Sequence, residues 1–171
     1  MKNNLFWFRR DLRLNDNAGL YHALKSDFPV IPIFIFDTHI LDNLPSKDAR
    51  VEFIHNVLTD LDTQLQALGA SLQVYYGKPL EVWSDIIKEY KISEVYTNHD
   101  FEPYAISRDA AVKDMLVTNE VGFRTYKDHV IFEKDEITKA DGLPYSVFTP
   151  YKNKWLAKVE DRRNEKGLSY Y

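Results

Sequence analysis

WFRRDLRLNDN, residues 7–17, is the stretch on which the reading of the chain turns. The apolar run Leu5–Phe8 has the look of a strand buried on both faces. It stops at Arg9, Arg10, Asp11 and Arg13, and is followed by Asn15-Asp16-Asn17, residue types that cap a helix N-terminus. A strand therefore ends in a charged loop from which a helix starts. In open α/β sheets, ligands sit at such junctions.

Working outward, strand-type and helix-type runs alternate. Residues 4–8 and 30–36 are nearly continuous apolar stretches, as central parallel strands require. Residues 71–76 alternate, with Leu72, Val74 and Tyr76 on one face, and 123–127 are mixed; alternating strands tolerate one wet face, so both belong at sheet edges. Residues 94–98 form a fifth, short strand. These assignments predict a three-layer, Rossmann-like α/β domain: a five-stranded parallel sheet of order 3-2-1-4-5 with helices on both faces. Pro32 is expected at the first pairing position of its strand, because proline cannot donate to a ladder. Between the strands, Val51, Ile54, Leu58, Leu61, Leu65 and Leu68 trace an amphipathic seam, with Ser46 as its expected cap and Gly69 as its stop. Pro79 and Pro103 each open a further helix, the second running to about Glu120. After Asp128 the pattern decays. Residues 145–158 read as an extended segment followed by a short helix, and residues 160–171 carry no core signal. The expected division is 1–130 for the α/β domain and 131–171 for the start of a linker.

The 171 residues suffice for one domain with a core. There are no cysteines, which excludes disulfides, thiol nucleophiles and zinc–thiolate sites. No signal peptide is evident, and the longest apolar run, Val30–Phe36, is far too short to span a bilayer. The expectation is a cytoplasmic protein with no membrane partner. The net charge of −4 is uneven: residues 152–166 carry six cations against three acidic groups, leaving −7 on residues 1–151. An acidic body does not make a primary grip on nucleic acid.

The six glycines, at 19, 69, 77, 122, 142 and 167, form neither a dinucleotide fingerprint nor a phosphate loop. Side chains must then hold much of any ligand. Arg9, Arg10, Asp11 and Arg13 follow the first strand, Asp37 the second, and Asn98, Asp100 and Glu102 the fourth. Arg50 starts the helix after the second strand. The predicted topology gathers them at the carboxyl edge of the sheet, where the strand order reverses. The alternative reading of these charges is solvated loops and structural ion pairs. The five histidines show no metal spacing, and no serine or histidine stands in a nucleophile context, so neither a metal site nor a catalytic residue is assigned.

Five motifs, in order, resemble DNA photolyases and cryptochromes: WFRRDLRLNDN (7–17), IFDTHIL (35–41), ARVEFI (49–54), TNHDFEPYAISRD (97–109) and YSVFTPYKNKW (145–155). The resemblance covers the family's amino-terminal α/β domain, and the wording is closest to bacterial cyclobutane-dimer photolyases. It implies that the complete protein is a deoxyribodipyrimidine photo-lyase, a flavoprotein of DNA repair. There a large helical domain carries the catalytic FAD and takes the damaged DNA, and this domain is its partner. The chain alone is expected to be inactive, with a face toward the helical domain that can self-associate.

The implied role of the α/β domain is to hold a light-harvesting antenna chromophore. Arg10, Asp37, Arg50, Asp100 and Glu102 are its implied binding residues. Folate-type members grip their pterin with an Asn-Glu pair; Tyr104 and Ala105 stand at those positions here. That favours FMN, a deazaflavin or FAD over folate. The same domain of a cryptochrome-type blue-light photoreceptor is the alternative, and a stand-alone nucleotide-binding domain or a pure interaction module the further ones.

Overall fold

The computed structural model describes residues 1–166, with side chains through 162. The last residues assigned above to the linker, 167–171, lie outside the described residues. The chain divides into one unit spanning Met1–Asp128 and a second from His129 onward.

In the first unit, five strands form one sheet: β1 (Asn3–Phe8), β2 (Val30–Asp37), β3 (Gln73–Gly77), β4 (Ile92–Asn98) and β5 (Gly122–Tyr126). Their order is β3-β2-β1-β4-β5 and every pairing is parallel. The two apolar runs lie at the centre and the mixed runs at the edges, as their patterns required. Helices α1 (Ala18–Leu24), α2 (Thr38–Leu41), α3 (Ala49–Ala67), α4 (Pro79–Glu89) and α5 (Pro103–Thr118) fill the connections.

The period-2 geometry of β1 sorts its side chains to two cores. Leu5 and Trp7 pack with Trp83 and Ile86 of α4 and Val112 and Leu116 of α5. Phe6 and Phe8 pack with Leu20 of α1 and Leu58, Leu61 and Leu65 of α3. The result is three layers. Trp7 and Trp83 meet edge-to-face at 5.4 Å, a contact worth about 1 kcal/mol beyond its buried area.

The face of β3 that carries Val74 and Tyr76 is exposed, and Tyr75 on the other face meets the core; an edge strand can turn apolar residues outward without a backbone cost. Three local expectations are corrected. Asp48, not Ser46, caps α3, accepting from the Arg50 N–H at 2.9 Å, and Leu68 at the far end is exposed. Gly69 does end that helix, at φ +80°, the left-handed conformation that glycine adopts freely. Pro32 is the third residue of β2 and pairs with Phe6 of β1, while the β3 ladder starts one residue later, at Ile33.

The second unit holds a 3-10 turn (Lys134–Glu136) and α6 (Phe148–Lys166). The helix is long rather than short, with Pro150 in its first turn, where a missing N–H breaks nothing. Within this unit Phe132 meets Trp155 edge-to-face at 5.7 Å, and Lys158 and Arg162 lie over the Phe132 ring.

Candidate functional site

The loop after β1 is held by a buried polar hub. The side chain of Asn98, at the end of β4, donates to Asp11 and to Asn17 Oδ1 (2.8 Å) and accepts from the Gly19 N–H at 2.8 Å. Asn17 caps α1 through the Leu20 N–H. Asp11 also accepts from the Arg9 N–H at 2.9 Å. Asp11, Asn17 and Asn98 are each 1–3% exposed. Gly19 is required by this approach: a Cβ there would lie 2.8 Å from Asn98 Oδ1 and 3.2 Å from the Thr97 backbone. Asp11 is thus a structural residue of the loop.

Around this hub, the carboxyl ends of β1, β2 and β4 open into a cleft of about 460 Å³. Arg10, Asp37, Arg50, Asp100 and Glu102, the five residues implied by the sequence resemblance, all line it. Apolar walls come from α2 and α3, where Ile40 and Phe53 are largely exposed, and from Phe36. Arg10 pairs with Asp100 at 3.3 Å and Glu102 at 3.7 Å, but its side chain is 53% exposed. Arg50 is gripped by Asp48 at 2.9 and 2.6 Å and is 71% exposed. The long Arg10 contacts are weak, so that guanidinium can turn to an anionic ligand at small cost, whereas Arg50 is held at two points by Asp48 and offers a ligand only its exposed side. The Arg50 partnership holds the Asp48 carboxyl well below the usual carboxylate range, at about 2.

The inner wall is rigid. Asp37 ends β2, caps α2 through the His39 N–H at 3.0 Å and accepts from the Tyr104 hydroxyl at 2.7 Å. Arg108 binds Asp109 at 2.9 Å and stands 3.9 Å from Asp37. Arg9 pairs with the same Asp109 and donates to the Asn98 carbonyl. Arg9, expected at this edge from the sequence, lines the cleft, and so do Trp7, Tyr104 and Arg108, which have no place in the flavin site expected from sequence. A usable signal was present: Tyr104 and Arg108 are four residues apart at the start of a Pro-led helix, hence on one face, at the carboxyl edge.

Burial, followed by the Asp37 hydrogen bond, pushes the Tyr104 phenol above its ordinary value. Burial and then Tyr90 do the same to Tyr75. Burial and Glu94 push Tyr96 up to about 12. The folded state therefore favours the protonated phenols. That stability is complete below about pH 10, the ordinary tyrosine value, and is lost as pH rises through about 12. An alkaline titration followed by tyrosinate absorbance should show an early class and a late class that ionises with loss of helical signal. One transition at the ordinary value, with the fold intact, would contradict these buried partnerships.

Comparison with known proteins agrees with this architecture. The chain is 34% identical over 154 residues to a deoxyribodipyrimidine photo-lyase of Synechococcus sp., covering 90% of this chain and 32% of that protein. It is 31% identical over 156 residues to cryptochrome-1 of Aedes aegypti, covering 85% and 29%. Among solved structures, an archaeal photolyase from Sulfolobus tokodaii, described with two FAD molecules and as implying a novel light-harvesting cofactor, superposes with a TM-score of 0.74 at 34% identity, covering 89% of this chain and 34% of that one. The chain thus spans about a third of the length of these relatives. The family described as DNA photolyase matches residues 4–167, and with a parallel β3-β2-β1-β4-β5 sheet beneath that match, the chain belongs to the DNA photolyase family.

Proposed function

We propose that the α/β unit is the light-harvesting part of a DNA photolyase, and that its cleft holds a flavin-type antenna chromophore: FMN, FAD or a deazaflavin. The observation that carries this reading is the convergence of Arg10, Asp37, Arg50, Asp100 and Glu102 on one cleft. The residues present fit such a group. The volume lies within the ~300–1,000 Å³ of small-molecule sites. The Ile40 and Phe53 walls suit a flat aromatic ring, the carboxylates accept from a ring N–H, and Arg10 and Arg50 suit a phosphate. A bound chromophore of this kind supplies light absorption and passes its excitation to FAD held by a helical domain, where damaged DNA is repaired. Transfer depends on distance and orientation, so the chain's task is to hold the ring still and exclude water. The Tyr104–Asp37–Arg108 wall is rigid enough for that.

Folate gripped in the manner of an Asn-Glu pair is disfavoured, because Tyr104 is committed to Asp37 and Ala105 is a buried methyl group. Exposed Phe101, in the loop before α5, and Ile106, in its first turn, suit contact with a helical domain or self-association. Among the described residues no helix is long and apolar enough to cross a membrane, and a cytoplasmic location is proposed with the repair role. The match to cryptochrome-1 sustains a second reading, a blue-light photoreceptor, which shares the same cleft. Repair of dimer-containing DNA by the protein joined to its helical domain distinguishes the two.

Titration of the chain with FMN, followed by ligand fluorescence and anisotropy, should saturate. Asp100→Ala removes the nearer of the two carboxylates beside Arg10 and a carboxylate lining the cleft, and should weaken binding roughly tenfold. A tetrahydrofolate should compete poorly. Equal binding by the variant would take Asp100 out of the site.

A further inference from the structure

We propose that Arg108, together with Arg9, prevents the two oxidisable side chains of the cleft from quenching an excited flavin. Excitation then leaves by energy transfer instead of being lost to the protein. This rests on the flavin-type antenna proposed above.

Two residues lining the cleft have side chains that readily give up an electron, Trp7 and Tyr104. The other aromatic residues there are phenylalanines, and the chain has no cysteine. Both rings are covered by a guanidinium. Arg108 lies 4.9 Å over Trp7 and 5.7 Å over Tyr104, and Arg9 lies 5.2 Å over Trp7. A cation on a π face stabilises the neutral ring and repels a positive charge arising on it. That repulsion is large where water is excluded, and the two guanidiniums are only 7% and 8% exposed. Asp109 and Asp37 balance their charge and lock them in place, but it is the guanidiniums that lie over the rings.

The suppressed step is a one-electron transfer. An electron would leave the Trp7 indole, or the Tyr104 phenol, for the excited ring system of the ligand. The indole would be left with a positive charge and the electron would be taken up by the ligand, with no bond between heavy atoms made or broken. For Tyr104 the phenolic proton would pass to Asp37, 2.7 Å away, leaving a neutral phenoxyl radical and a protonated Asp37 that no longer offers Arg108 a carboxylate, which Arg108 also opposes. Return of the electron turns the excitation into heat. Trp83 makes the danger greater: it is fully buried and stands 5.4 Å from Trp7, a second site for the positive charge to reach. An antenna site bordered by Trp7, with Trp83 behind it, needs that pair silenced, and two fixed cations over Trp7 do so.

The test is the fluorescence lifetime of FMN bound to the full chain. Trp7→Phe should leave the lifetime unchanged, because Trp7 is already silent. Arg108→Gln should shorten it by roughly fivefold, as expected for a rate freed of one cation contact. Arg108→Lys, which keeps the charge, should retain most of it. Adding Trp7→Phe and Tyr104→Phe to Arg108→Gln should restore it, which a purely structural role for Arg108 does not predict. A longer lifetime in Trp7→Phe alone, or an unchanged one in Arg108→Gln, overturns the proposal. Should Arg108→Gln fail to fold, Arg9→Gln, which uncovers Trp7 from the other guanidinium, should shorten the lifetime, and an unchanged one overturns the proposal. If FMN does not bind the wild-type chain, the antenna reading falls and this inference with it; binding with unresponsive lifetimes removes this inference alone.

Discussion

Asn98→Ala should destabilise the α/β unit by about 3–4 kcal/mol, the sum of several unmet buried hydrogen bonds, one of them to a carboxylate. In the native fold this one side chain satisfies Asp11, Asn17 and the Gly19 N–H at once. Alanine leaves all three without that partner in a site that water does not enter, since Asn98 itself is 1% exposed. The loop from Arg9 to Asn17 would lose its anchor to β4, and α1 its fixed starting point. Chemical denaturation of wild type and variant should show the lower midpoint with similar cooperativity, and thermal unfolding a fall of roughly 10 °C. A loss under about 1 kcal/mol would show that the hub is dispensable.

Asp37→Ala should damage both stability and ligand binding. The substitution removes the cap of α2, the acceptor of the Tyr104 hydroxyl and one of the two carboxylates near Arg108. Burial of an unpartnered hydroxyl and a partly uncompensated guanidinium costs about 2–3 kcal/mol. The inner wall of the cleft would loosen, so FMN should bind at least roughly tenfold more weakly. Asp37→Asn should lie between, because the amide oxygen still accepts from the His39 N–H but carries no charge for Arg108. Equal denaturation midpoints and equal affinities for Asp37→Ala and wild type would separate Asp37 from both roles.

Much of this architecture is legible in the sequence, for physical reasons. A run such as Ile33–Phe36 can be apolar on both sides only if both faces are covered, which places it centrally in a parallel sheet. Once β1, β2 and β4 share a sheet, the charges after them must share an edge, and Arg10, Asp37, Asp100 and Glu102 do. What sequence conveys poorly is partnership. Asp11 reads like Arg10, yet one is a buried anchor and the other an exposed rim. The difference is created by Asn98, 87 residues away. Trp7 reads as core, and it is core; that its face also borders the cleft depends on where β1 ends relative to α5. Val74 and Tyr76 show that alternation reveals two faces without saying which is wet. Ser46 and Asp48 are both competent caps, and only the actual entry of α3 selects Asp48.

A flavin-type ring in the cleft at the carboxyl ends of β1, β2 and β4 should be visible in a crystal structure of the chain grown with FMN. Ligand density is expected between Phe53 and Ile40 on one side and the Asp37–Tyr104–Arg108 wall on the other, with Arg10, Arg50 and Asp100 within hydrogen-bonding reach. Density at another place on the chain, or a cleft still filled by solvent at saturating FMN, would contradict it.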